Sequence, residues 1–291
     1  MFFPRAEHAT EDFIGDRLTR TAMDADSCLT VVDEKNVKGP EEGTPILVCF
    51  PSAGLASTIV GHYLIRSRNL PRCAVIHSPD LPPASVIIDS LPNPPIRVHG
   101  DASVAIVVSE FPSPSIVLTP LAEGILNWAN RRKAGLVVVI EGILKRQEAP
   151  EGEQEEDEVK TQSTEEIREA VIGIAATPEA KKLLESKSVP LLEDGIVGGL
   201  SAALLNEACI RNVPLVVLFA TANRSDYPDH GAAARILEDL NKLLPSLKID
   251  PEPLYAQAKI IEHALRDGMK LHAAAVEPKP KAAHPEPSIY G

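Results

Sequence analysis

The sequence lacks an excess of positive charge: Lys and Arg total 29 against 41 Asp and Glu, a net charge of −12. Such a surface repels nucleic acid and anionic lipid, so neither nucleic acid nor a membrane is expected as a partner. Cysteine is scarce. Cys28, Cys49, Cys73 and Cys209 form no Cys-x-x-Cys pair, and Cys49 and Cys73 sit in apolar runs. That pattern reads as buried thiols in a reducing compartment, not as a disulfide framework or a metal site. No apolar run approaches the ~18–20 residues needed to span a bilayer. Val213 to Ala222 is among the longest, and it reads as a buried strand. Met1 to His8 have no long apolar core, so no secretory signal is read there and a cytoplasmic location is expected.

The motifs of common enzymes are also missing. Pro51-Ser-Ala-Gly-Leu-Ala-Ser-Thr58 lies between a strand and a helix, where an anion could bind a helix N-terminus, but no Gly-x-Gly-x-x-Gly and no Gly-Lys-Ser/Thr accompanies it. Ser52 lacks a Gly-x-Ser-x-Gly setting. His8, His62, His77, His99, His230, His263, His272 and His284 show neither His-x-His nor His-x-x-x-His spacing, and no zinc pattern exists. No cofactor or metal is expected. Glu110, Glu141 and Asp226 each follow an apolar strand. In an open parallel sheet that position faces the usual ligand crevice, so carboxylates converging there could do acid–base work, although polar residues also end strands in proteins without catalysis.

What is present is a repeated alternation. Strands are expected at Cys28–Val32, Ile46–Phe50, Cys73–Ile76, Val104–Val108, Leu136–Ile140, Ala170–Ile174 and Val213–Phe219. Helices are expected from about Leu55 to Ile65, through Leu118, Leu121, Ile125 and Trp128, after Pro178, and from Gly198 to Ile210. Two further helical stripes run Ala233–Ile236–Leu237–Leu240–Leu244 and Leu254–Ala258–Ile261–Leu265–Met269. Strands alternating with helices predict an α/β three-layer sandwich with a mainly parallel central sheet. The chain then divides into a weakly patterned segment at 1–27, one α/β domain at 28–271 and a tail at 272–291.

Two segments do not fit a packed layer. Lys145 to Glu166 holds nine acidic and three basic residues, a net charge of −6, and reads as a mobile surface insertion. In the tail, Pro278, Pro280, Pro285 and Pro287 keep Glu277 to Ser288 extended. At ~3.1 Å per residue that stretch reaches roughly 35–40 Å. It ends in Ile289-Tyr290-Gly291: an apolar residue, an aromatic with a hydroxyl, and a terminal carboxylate of the kind partner proteins capture.

Four stretches occur in a recognisable order: Phe50-Pro-Ser-Ala-Gly-Leu-Ala-Ser-Thr-Ile-Val-Gly-His-Tyr-Leu-Ile65; Ile96-Arg-Val-His-Gly-Asp101 with Val108-Ser-Glu-Phe-Pro112; Thr177-Pro-Glu-Ala180 with Glu193-Asp-Gly-Ile-Val-Gly-Gly-Leu-Ser201; and Asp226-Tyr-Pro-Asp-His-Gly-Ala-Ala-Ala-Arg235. Through them the chain resembles the archaeal proteasome-assembly-chaperone family over roughly Thr44 to Gly268. The long acidic insertion and a less glycine-rich first loop depart from that pattern. The resemblance implies a single α/β domain with a topology like that of nucleoside phosphorylases and hydrolases. It also implies homo-oligomers that bind proteasome α-subunits, or the core particle, without ATP. Some members end in a hydrophobic–Tyr–any motif that docks between adjacent α-subunits, and Ile289, Tyr290 and Gly291 fit it position by position. The expected function is therefore a non-catalytic, proteasome-binding assembly chaperone or activator-like protein. The alternative is an enzyme of phosphorylase or hydrolase type, acting on a small polar or nucleoside-like substrate at the crevice of Glu110, Glu141 and Asp226.

Overall fold

Ile46 to Cys49 are apolar at every position and wholly buried, as a strand covered on both faces must be. The computed structural model describes residues 18–19, 29–34, 37, 39–144, 171–222 and 227–261. Within them the chain begins β1 (Leu18–Thr19), β2 (Thr30–Glu34), β3 (Ile46–Cys49), α1 (Ala56–Ser67) and β4 (Arg72–His77). A hairpin, β5 (Val86–Ile88) and β6 (Leu91–Asn93), precedes β7 (Ile96–Gly100), β8 (Ala105–Ser109) and α2 (Leu118–Arg131). Next come β9 (Val137–Leu144), β10 (Val171–Ala175), α3 (Pro178–Ser186), α4 (Gly199–Arg211), β11 (Leu215–Ala222) and α5 (His230–Leu243). Residues 252–261 are helical.

The main sheet has nine strands in the order β1-β2-β4-β7-β8-β3-β9-β11-β10. Its centre, β8-β3-β9-β11, is parallel, with Cys49 opposite both Val108 and Ile140, and Val137 opposite Leu215. The flanking pairs run antiparallel on both sides. The expected α/β three-layer sandwich is thus the observed fold, and its parallel part is confined to the middle. Side-chain alternation divides the core. Leu47, Cys49, Ile106, Val138 and Ile140 face α1 and α5, while Ile46, Val48, Val107, Val139 and Phe219 face α2 and α4.

The helices start where their sequences allow. Thr177 caps α3 by accepting the N–H of Ala180 at 3.2 Å, with Pro178 in the first turn. Asp229 caps α5 through Ala232 N–H at 2.8 Å. Gly61 lets α1 lie close on β3: a Cβ there would stand 2.8 Å from Cys49 Cβ and 2.9 Å from Val108 Cγ1. Cys49, Cys73 and Cys209 are free thiols, and burial pushes Cys73 up to about 12. Among the described residues, no helix is long and apolar enough to cross a membrane. Asp226, the 145–166 insertion, the Pro-rich tail and Ile289 to Gly291 lie outside the described residues.

Candidate functional site

The carboxyl ends of the parallel strands are closed by the loop that leaves β3. Gly54 and Leu55 both take left-handed backbone, φ 62° and 51°, and turn the chain sharply into α1. Serine hydroxyls fasten this loop. Ser57 donates to Phe50 O, Ser52 Oγ lies 2.8 Å from Ser57 Oγ, and Ser52 Oγ accepts the N–H of Gly142 at 2.8 Å. Because the Ser57 proton goes to Phe50 O, Ser52 is the donor to Ser57. Its one proton is committed, so Ser52 is a loop fastener and not a primed nucleophile. Gly142 is required here. A Cβ would fall 2.0 Å from Ala53 O. The N–H of Asp229 also reaches Gly54 O at 2.7 Å, tying the start of α5 to the same loop.

Beside this loop, on the α2/α4 face, lies a cavity of about 310 Å³. Phe50, Pro51 and Ser52 form one side, Pro112 and Ser113 another, and Gly199 to Ser201 a third, with Glu141 among the lining residues. Glu141 accepts a hydrogen bond from Ser201 Oγ. Burial pushes its carboxyl above the usual carboxylate range, opposed by the Ser201 hydroxyl. Three of the four sequence stretches meet at this cavity, and the fourth is joined to it through Asp229 and Gly54.

Glu110 lies elsewhere. Val108, Cys49 and Ile140 are in register, so Ser109 and Glu141 share one face and Glu110 projects from the other. There it accepts from Arg97, whose side chain is almost wholly buried and which also donates to Pro94 O at 2.9 Å. His62 Nε2 stands 3.4 Å from Glu110 Oε1. Burial holds His62 below the usual imidazole range, and the Glu110 charge partly offsets this. The structure therefore brings Glu110 to Arg97 and His62, and Glu141 to Ser201. It does not bring the two carboxylates together. Ser113 and Ser201 were not singled out by sequence reasoning. Ser201 closes the third stretch, and its place in the first turn of α4 was the available signal.

Among the described residues, no group of His, Cys, Asp and Glu could hold a metal ion.

With this geometry in view, the similarities to known proteins are specific. A family model described as the PAC2 family matches residues 46–267. The crystal structure of Pyrococcus furiosus PbaA, described as an archaeal homolog of proteasome-assembly chaperone, superposes with a TM-score of 0.68 at 26% identity, covering 85% of this chain and 94% of that one. Pyrococcus furiosus PbaB, described as an archaeal proteasome activator, superposes with a TM-score of 0.65 at 19% identity over 83% of this chain and 98% of its own, a likeness of fold. An uncharacterised protein of Methanocaldococcus jannaschii is 25% identical over 231 residues, 79% of this chain and 87% of that protein.

Proposed function

The chain belongs to the PAC2 family, whose model spans residues 46–267, and from that premise we propose that it is a proteasome-binding protein, an assembly chaperone or activator-like factor that works without ATP. The observation that carries this reading is the likeness to PbaA in both fold and sequence, at 26% identity over 85% of this chain. The α/β body forms a homo-oligomer in the cytoplasm, and the extended tail presents Ile289, Tyr290 and Gly291 to pockets between proteasome α-subunits. In each pocket the terminal carboxylate pairs with a partner cation while the Tyr290 ring is buried and its hydroxyl bonded. Such an aromatic anchor contributes on the order of 2 kcal/mol, and several tails on one oligomer multiply the effect by raising local concentration.

Binding is preferred to catalysis for a physical reason. The enzymatic alternative needs carboxylates converging at one crevice, and Glu110 and Glu141 project from opposite faces of the sheet. The test is affinity for the proteasome core particle and for isolated α-subunits, measured beside the unfolding midpoint. Tyr290→Ala, and separately one residue appended after Gly291, should each weaken binding severely and leave the midpoint unchanged. Unchanged affinity in both variants would sink the docking model.

A further inference from the structure

The cavity beside the β3 loop has a chemistry that neither the fold nor tail docking uses. Among the described residues that line it, Glu141 is the sole ionisable one. The effects that act on its carboxyl are burial and the Ser201 hydroxyl, with no charged neighbour among them. A half-buried carboxylate held by one hydroxyl, with no cation among the described residues that line the cavity, is an incomplete electrostatic arrangement. The missing partner is a positive charge or a strong donor supplied from the cavity.

A second polar feature faces the same space. α4 begins after Gly198 with no side-chain cap, and Gly199 has φ +69°. Its first turn lines the cavity, so its leading N–H groups are suited to an acceptor or an anion. Ser113 Oγ, also in the lining, is shielded from solvent and has no hydrogen-bond partner. Between these groups the walls are apolar: Val48, Phe50, Leu118, Val139 and Leu200. The volume, about 310 Å³, falls at the small end of ligand sites, which run from about 300 to 1,000 Å³.

We propose that this cavity binds a small α-amino acid with an apolar side chain, its ammonium on Glu141 and its carboxylate on the first turn of α4. The zwitterion answers both features at once. Its cation supplies the charge that Glu141 lacks, and its anion occupies the uncapped helix start. Ser113 completes the polar contacts and the side chain fills the apolar wall. A simple carboxylic acid would set its charge against Glu141, and a simple amine would leave the helix start unmatched.

The experiment is calorimetric titration of the full chain with L-valine, L-leucine and L-methionine, each set against the amine and the acid that lack one charged group. For leucine these are 3-methylbutylamine and 4-methylpentanoate. At least one amino acid should bind, and its two analogues should bind about tenfold more weakly or worse, as loss of a charge-assisted hydrogen bond requires. Glu141→Gln should lower the affinity about ten- to hundredfold on the same grounds, with an unfolding midpoint at neutral pH no lower than that of the parent. Ser201→Ala, which removes the hydroxyl orienting Glu141, should weaken binding less. It also serves as the test if Glu141→Gln does not fold. The proposal is overturned if none of the amino acids binds at millimolar concentration. It is equally overturned if the acid or the amine binds as tightly as the amino acid, or if Glu141→Gln leaves affinity unchanged.

Discussion

Gly142→Ala puts one methyl group into the joint between β9 and the loop that leaves β3. The new Cβ would stand 2.0 Å from Ala53 O, 3.1 Å from Ala53 C and 3.2 Å from Ser52 Oγ. The nearest atom is backbone, so no side chain can rotate out of the way. The loop has to move, and the 2.8 Å bond from Gly142 N–H to Ser52 Oγ is the first contact it loses. Overpacking of this kind costs about 1–3 kcal/mol, and a part-buried hydrogen bond adds about 1 kcal/mol. The expected destabilisation is therefore about 2–4 kcal/mol, a fall in midpoint of roughly 5–15 °C for a domain of this size. The assay is thermal unfolding followed by circular dichroism, with Gly231→Ala as control. At Gly231 a Cβ meets nothing nearer than Asp229 Oδ1 at 3.4 Å, and the site lies in the first turn of α5. There Ala should be neutral or stabilising by up to about 1 kcal/mol. A midpoint for Gly142→Ala within about 2 °C of the parent would refute the reasoning, because it would mean the loop is not held against β9 as described.

Other expectations concern charge and association. Burial raises the folded-state carboxyl of Glu141 above the usual carboxylate range, opposed by the Ser201 hydroxyl, so its stabilising contribution is complete below the unfolded carboxylate range and is lost as pH rises through the raised value. Glu141→Gln should therefore match the parent in acid and exceed it in stability at neutral pH, and urea titrations at several pH values will show this; a variant less stable at neutral pH would contradict the burial argument. Replacing 145–166 with a short Gly/Ser loop should leave the melting temperature nearly unchanged, whereas a loss of several kcal/mol, read by calorimetry, would mark the segment as structural. Light scattering across micromolar concentrations should find a species larger than the monomer, and monomer alone would remove the homo-oligomer from the account.

The elements most plainly written in the sequence are those whose chemistry admits one reading. Ile46 to Phe50 is apolar without a break, which suits a doubly covered parallel strand, and β3 is one. Thr177-Pro178 announces a helix start, and α3 begins there. β7 carries a weaker sequence signal. Arg97 and His99 interrupt its apolar residues, the alternation of an antiparallel strand, and it pairs antiparallel on both sides. The hairpin of β5 and β6 lies in a stretch with Pro82, Pro83, Pro92, Pro94 and Pro95, which suppresses any strand signal. The candidate crevice depended on register. Glu110 follows β8 as the sequence suggests, whereas Glu141, expected just after a strand, lies inside β9; which face each one meets depends on how β8, β3 and β9 align, and one residue of shift exchanges the faces. That alignment is a tertiary fact. Ser52 and Ser57 likewise look like any small polar residues until Gly142 is brought against them.

The central claim, a body similar to PbaA that engages the proteasome through its last residues, is tested most directly by one comparison. The full chain and a chain ending at Ser288 are measured for binding to the proteasome core particle at equal oligomer concentration. The full chain should bind, and the shortened chain should lose at least about tenfold in affinity per engaged tail, as removal of an aromatic anchor worth on the order of 2 kcal/mol requires, with the same melting temperature and oligomeric state. Equal affinity of the two chains would contradict the role given to Ile289, Tyr290 and Gly291. No binding by either chain would contradict the proteasome as partner.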